Sequence, residues 1–336
     1  MRKMTNSKGL GVLVTGAKGF LGSHLVEDLL SRGYTVYALD RPGNGSDNLA
    51  YVRNHPNLHV LEGDCSNPSS IPGLREAVSN SKAVCHIAGL TQGPLEDLID
   101  ANIVATTALY SFCNFNNPKL RFVYASSQTA LGPVAKGSSN KREPCSNYGK
   151  SKLVAEHFLD DWPLEGERCP ITILKLVGLY GPRDAAFLNQ YQLVQKTKVC
   201  PTVGKLDSPT DVLYVKDAAR AFVAAVENPN TANRIYEIAD TRKYTRKQII
   251  DAMAASIGEK RSILRVPDWL ARFASRIINK LNPKSILGPD RMEDLLRLYP
   301  PSDPRRFMND TGWRAEYPLQ FASNLTARSY KNSRQL

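Results

Sequence analysis

No stretch of the chain reaches the roughly 18 uncharged apolar residues that a membrane-spanning helix requires. The opening MRKMTNSKG is basic and lacks the apolar segment of a secretory leader, so neither secretion nor a spanning anchor is expected. Cysteines are few and scattered: Cys65, Cys85, Cys113, Cys145, Cys169 and Cys200 form no CxxC pair, which argues against a disulfide framework and fits a reduced, cytoplasmic compartment. His24, His55, His59, His86 and His157 show neither an HExxH pattern nor a neighbouring cysteine, so no metal site is expected. Low-complexity tracts and fixed-period repeats are missing as well. Acidic residues are in deficit, 32 against 44 basic ones, and the net charge of +12 favours polyanionic partners in general. Without a zinc finger, an RNP-like aromatic strand or a basic heptad region, no nucleic-acid partner is expected.

What the chain does have is regular alternation. With 42% hydrophobic and 23% charged residues it matches a globular protein of 336 residues, long enough to bury a full core. Short Val/Ile/Leu-rich runs at 10–16, 34–40, 58–64, 83–89, 120–126 and 171–177 are separated by helix-length segments. That is the pattern of an α/β fold, a Rossmann-type doubly wound parallel sheet with helices on both faces. After Gly181-Pro182 the alternation lapses into a helix near 185–198, a Pro/Gly-rich loop at 200–209 and further helices beyond 245. The stretch 210–240 again reads as strand, helix and strand. The expected division is therefore a doubly wound domain over 8–181, to which 210–240 returns, and a smaller, mainly helical region over 182–209 and 241–330.

VTGAKGFLGSHLVEDLL sets Gly16, Gly19 and Gly22 between the first strand and an amphipathic helix. Such a turn lets backbone amides and the positive helix end approach a pyrophosphate, with Phe20 and Leu21 in the same turn. Asp40, 18 residues after Gly22 and at a strand end, suits the adenosine ribose hydroxyls and opposes a 2′-phosphate. NAD is thus favoured, with NADP left open by Lys18 and Arg41, either of which would offset the carboxylate if it faced the ribose. Asp64 and Cys65 close the third strand, where Asp64 suits either the adenine amino group or the capping of its own loop. Ala88 and Gly89 are small, as a backbone passing close to a cofactor requires.

Tyr148 and Lys152 stand four apart at the start of a helical segment and so share one face. A phenol titrates near 10 in isolation; an ammonium beside it favours the phenolate and with it proton transfer at neutral pH. The same ammonium is placed to hold the nicotinamide ribose. Ser126 and Ser127 end the fifth strand at the carboxyl edge, where doubly wound sheets place ligands, and one of these hydroxyls is expected on the reacting oxygen.

These segments together, TGAKGFLG, Asp40, HIAG, Asn102, ASSQTALG, YGKSK and LYGPRD, resemble the extended short-chain dehydrogenase/reductase family over most of the chain. The cast is similar to its NAD-dependent epimerase/dehydratase branch, with hydroxysteroid dehydrogenase-like affinities. The resemblance implies Tyr148 as general acid/base, Lys152 as its pKa modulator and ribose ligand, and Ser127, counted back from Gly132, as the substrate-polarising hydroxyl. It also implies a homodimer through the Tyr148 helix and its neighbour, and leaves Asn102 as either a structural residue or a proton relay.

The departures from that pattern narrow the chemistry. Where nucleotide-sugar enzymes of the family read RYFN before YGP, this chain has Lys175, Leu176, Val177 and Gly178; where they place a second diphosphate-binding arginine, it has Thr210. Gln128 and Thr129 stand in place of the acidic pair of dehydratases, which argues against dehydration. Lys175 and Arg183 keep another route to an anion open, so nucleotide sugars are demoted without being removed. The leading expectation is an NAD(P)-dependent oxidoreductase acting at a hydroxyl or carbonyl carbon of a small molecule. A (nucleotide-)sugar epimerase is second, and a catalytically silent dinucleotide-binding protein third. Residues 267–281 carry Trp269, Leu270, Phe273, Ile277, Ile278 and Leu281 among Arg272, Arg276 and Lys280. Packing of this stripe on the substrate pocket or on a partner subunit is the preferred reading, with peripheral contact to an anionic membrane as the alternative.

Overall fold

The computed structural model describes residues 11–43, 48–134, 142–161, 167–282, 285 and 287–336, so Leu10 of the expected first strand lies outside the described residues. The first half alternates: β1 (Gly11–Thr15), α1 (Phe20–Ser31), β2 (Thr35–Asp40), β3 (Leu58–Glu62), α2 (Leu74–Ser79), β4 (Ser81–His86), α3 (Leu95–Ile99), α4 (Ala105–Asn116) and β5 (Arg121–Ser127). A short α5 (Gln128–Leu131), α6 (Asn147–Asp160), β6 (Ile171–Leu176) and β7 (Gly178–Tyr180) follow. Beyond them come α7 (Ala185–Thr197), β8 (Val199–Thr202), β9 (Pro209–Thr210), β10 (Val212–Tyr214), α8 (Val215–Glu227), β11 (Arg234–Ile238), β12 (Tyr244–Thr245) and α9 (Arg246–Ser256). The chain ends with β13 (Ser262–Arg265), α10 (Asp268–Leu281), α11 (Pro289–Leu296), α12 (Arg305–Thr311) and α13 (Leu319–Asn332).

Seven strands form one parallel sheet in the order β11-β6-β5-β4-β1-β2-β3. The period-2 pleat sorts its side chains into two cores. Val12, Val14, Val36, Cys85, Val123 and Leu174 face α1 and α8, whereas Leu13, Leu39, Val84, Phe122 and Ile173 face the side of α2, α4 and α6. Both faces are covered, which is why the strands read as continuous apolar runs. The chain order reverses between β1 and β4, and the carboxyl ends of those two strands open the crevice in which such sheets bind ligands.

The expected return of 210–240 is observed, since β11 pairs with β6 and α8 lies against α1. A third cluster, around Tyr191, Val194, Ile250, Met253, Ala327 and Tyr330, joins α7, α9 and α13. Two expectations are corrected. The loop placed at 200–209 contains β8, because Val199–Thr202 finds a parallel partner 63 residues later in Ser262–Arg265, a pairing that local composition does not encode. The apolar stripe of α10 is not covered by the chain itself, which removes the pocket from the expected packing and leaves the partner subunit: Trp269, Leu270, Phe273, Ile277 and Leu281 are exposed, and Ala271 and Ser275 are the buried face.

Candidate active site

The turn after β1 is built for close approach. Gly16 has a positive φ of 65°, and a Cβ there would lie 2.9 Å from the Ala88 backbone; a Cβ on Gly22 would lie 2.0 Å from the Gly16 carbonyl oxygen. The N-terminus of α1 therefore presses against the turn, and Gly19 at its cap offers no side-chain acceptor to the first-turn amides at Phe20 and Leu21. An uncapped helix end beside a Cβ-free cradle fits the pyrophosphate of a dinucleotide. Asp40, buried at the end of β2, accepts from the Lys18 N–H at 2.7 Å and the Arg41 N–H at 2.8 Å. An ionised carboxylate retains lone pairs after two such bonds, so ribose hydroxyls still find acceptors there.

Lys18 Nζ pairs with Glu62 Oε1 at 2.7 Å, and Glu62 is the register partner of Asp40. Arg41 is exposed. Asp64 is exposed and accepts from the Ser66 N–H at 2.8 Å, the loop-capping arrangement. Burial pushes the Cys65 thiol up to about 12.

At the other wall of the crevice β5, α5 and α6 converge. Ser146 caps α6 by accepting from the Gly149 N–H at 3.0 Å, which sets Tyr148 in the first turn. The Ser127 hydroxyl accepts from the Thr129 N–H at 3.2 Å and from Thr129 Oγ1 at 2.9 Å, and its nearness opposes the upward pull of burial on the Tyr148 phenol. Ser126 points the other way and is bonded to buried Glu156. Burial raises the Tyr148 pKa, Ser127 and Arg291 oppose the rise and Asp294 adds to it, so the resting phenol keeps its proton. Lys152 is buried and donates to the Ala125 carbonyl at 2.9 Å, with its ammonium 4.8 Å from the centre of the Tyr124 ring. Burial brings its pKa down to about 8, against the upward pull of Glu156.

Asn102 lies in a π-helical turn, Asp100–Val104, between α3 and α4, a distortion often found at functional sites. Its amide accepts from the Leu90 N–H at 2.9 Å and donates to the Leu90 carbonyl at 2.8 Å and to Ser151 Oγ at 2.9 Å. It thereby ties the loop after β4, including Gly89, to the helix of Tyr148 and Lys152. Beneath it, Thr15 Oγ1 accepts from the Ile87 and Ala88 N–H groups and so gives its own proton to His86 Nδ1 at 2.7 Å. His86 Nε2–H then donates to Thr106 at 3.0 Å, and burial holds this imidazole neutral with a pKa of about 3.

Several groups at the site were not legible in the sequence. Asp290 of α11 accepts from the Asn147 N–H at 2.6 Å and the Tyr148 N–H at 3.2 Å, some 140 residues away in sequence. Asp294, one turn further along α11, accepts from Tyr299 at 2.6 Å and Cys145 at 3.3 Å. Glu156, four residues after Lys152, pairs with Lys175 Nζ at 2.6 Å in the interior. This corrects the anion route: Lys175 is committed to Glu156, and Arg183 to Glu27 and, at 3.0 Å, to Ser23. Thr210 uses its hydroxyl on the Ser208 carbonyl at 3.3 Å. Among the described residues no cluster of three or more His, Cys, Asp or Glu is placed to hold a metal ion, and no helix is long and apolar enough to cross a membrane.

Comparison with known proteins agrees with this geometry. A family model described as the NAD dependent epimerase/dehydratase family matches residues 12–239. The ceramide reductase of Caulobacter vibrioides (strain NA1000 / CB15N) is 27% identical over 300 residues, covering 87% of this chain and 86% of that protein. A UDP-glucose 4-epimerase of Caenorhabditis elegans is 25% identical over 357 residues, covering 92% and 94%. Among solved structures, the dTDP-glucose 4,6-dehydratase of Bacillus anthracis str. Ames in complex with NAD superposes with a TM-score of 0.78 at 18% identity, covering 97% of this chain and 98% of that one.

Proposed function

This chain belongs to the NAD dependent epimerase/dehydratase family, an NAD-dependent enzyme of the extended short-chain dehydrogenase type, and on that premise we propose that it interconverts a hydroxyl and a carbonyl on a small molecule that carries no nucleoside diphosphate. Bound NAD, held at Gly16, Gly19, Phe20, Leu21, Gly22, Asp40 and Ala88–Gly89, would supply or accept the hydride. Ser127, its lone pairs engaged by Thr129, turns its own proton toward the reacting oxygen. Tyr148 exchanges a proton with that oxygen: the protonated resting phenol is the form that protonates a carbonyl being reduced, and the phenolate is the form that receives the proton of an alcohol being oxidised. Lys152, charged below about pH 8, would lower the cost of the phenolate and hold the nicotinamide ribose.

The observation that carries this reading over sugar epimerisation is the internal commitment of Lys175 and Arg183, together with Thr210 at the place of a second arginine. The two cations that kept another route to an anion open are paired with Glu156 and Glu27. Titration with UDP-glucose in the calorimeter, with NAD present, tests it. No saturable heat is expected; tight UDP-glucose binding would restore the epimerase reading.

The same reading assigns 8–181 with 210–240 to the dinucleotide and 182–209 with 241–330 to the substrate, and places the enzyme in the cytoplasm. It includes a homodimer through α4 and α6, supported by the exposed apolar side chains Ile99, Val104 and Val154 on that side of the molecule. It also includes a peripheral membrane contact through residues 267–281, supported by the uncovered face of α10.

A further inference from the structure

Helix α10 is assembled inside out for a helix on a soluble surface. Its inward row is small, with Ala271 and Ser275 buried, while the large apolar residues point outward: Trp269 is 70% and Leu281 83% exposed, with Phe273 and Ile277 exposed between them. A surface helix ordinarily buries such a stripe. Trp269, Phe273, Ile277 and Leu281 recur every fourth residue and so form a continuous row along the outer face. Arg272, Arg276 and Lys280 each stand one residue ahead of the last three of these, which sets a second, cationic row beside the apolar one. Arg272 is held by Glu293 at 2.7 Å, whereas Arg276 and Lys280 are exposed.

We propose that this double row seats the protein on an anionic lipid bilayer, with the apolar row in the acyl boundary and Arg276 and Lys280 on the headgroup phosphates. The inference deepens the peripheral contact of residues 267–281 and rests on that reading, not on the reaction assigned to Tyr148. Charge favours this occupant over a second copy of the chain, because a copy carrying +12 would bring the same cation row into the contact, whereas an anionic headgroup layer complements it. A tryptophan at the edge of an apolar stripe suits the water–lipid boundary.

The contact would lie close to the chemistry. The Arg272–Glu293 pair joins α10 to α11, and Asp290 on α11 holds the N–H groups of Asn147 and Tyr148. One helix therefore separates the lipid-facing row from the first turn of the Tyr148 helix, and the proposed seat lies on the substrate side of the molecule.

The test is co-sedimentation of the full chain with vesicles of phosphatidylcholine alone and with about one-third phosphatidylglycerol, alongside the exposed-face variants Phe273→Ser/Ile277→Ser and Arg276→Ala/Lys280→Ala. Expected are at least about tenfold stronger partition into the anionic vesicles, weakened by salt, and a loss of similar size in the serine variant. The alanine variant should lose the preference for phosphatidylglycerol. NAD affinity should stay unchanged in both. Equal partition into both vesicle types would overturn the anionic surface while leaving a membrane contact standing, and no partition into either would overturn the contact itself. A serine variant that dissociates an oligomer without altering sedimentation would give the face to a second copy. Loss of NAD binding by the unmodified protein would instead strike the enzymatic reading and leave the vesicle result to stand alone.

Discussion

Tyr148→Phe is expected to lower turnover by about 10²–10⁴-fold, the range that a positioned general acid or base contributes. The substitution keeps the ring and its packing and deletes one hydroxyl. Ser127 keeps its bond to Thr129, and Lys152 keeps the Ala125 carbonyl, so neither neighbour is left stranded. NAD affinity should not change, because the glycine turn and Asp40 lie across the crevice. The effect should therefore fall on kcat, with the pH dependence of the remaining rate flattened, since the group that titrates is gone. Turnover within about tenfold of the unmodified enzyme would place the proton on another group, and Asp294 would be the first to examine.

The second large effect concerns stability. Glu156 accepts from Lys175 and Ser126 inside the protein, one helical turn beyond Lys152. Removing one member of a buried pair leaves the other charged and unpaired, at a cost of about 3–5 kcal/mol. Glu156→Leu should lose about that much in denaturant unfolding, a large share of the roughly 5–15 kcal/mol that separates folded from unfolded domains. The double variant Glu156→Leu/Lys175→Met replaces the pair by apolar groups of similar length and should recover more than half of the loss. Simple additivity of the two single losses would show that the pair is not coupled. Glu156 also pulls the Lys152 pKa upward against burial. Its removal should let Lys152 deprotonate at lower pH, moving the alkaline limb of the activity profile downward. A merely structural role would leave that limb in place.

Local chemistry made a good part of this protein readable in advance. A buried parallel sheet needs uninterrupted apolar strands, a dinucleotide turn needs glycines at set intervals, and Tyr148 and Lys152 share a face because a helix repeats near four residues. Ser126 is turned to Glu156 and Ser127 to Thr129, a difference between two adjacent hydroxyls that spacing alone does not show. The limits were equally physical. Lys175 and Arg183 looked available to an anion because a sequence does not show that Glu156 and Glu27 lie opposite them. Asp290 reaches the first turn of α6 across some 140 residues, and β8 pairs with β13 across 63, neither with a local signal. For α10 the spacing revealed the stripe, but the burial of Ala271 and Ser275 had to be seen before its direction was known.

The central claim is reversible use of NAD in a reaction with net turnover. Its most direct test is the nicotinamide content of freshly purified protein, followed by calorimetric exchange against NAD and NADP. Expected are saturable, exchangeable binding of NAD and weaker binding of NADP, as Asp40 and the Lys18–Glu62 pair require. NAD retained through purification and refusing exchange would point instead to an epimerase that regenerates its cofactor in each cycle. Binding of neither dinucleotide would contradict the reading altogether.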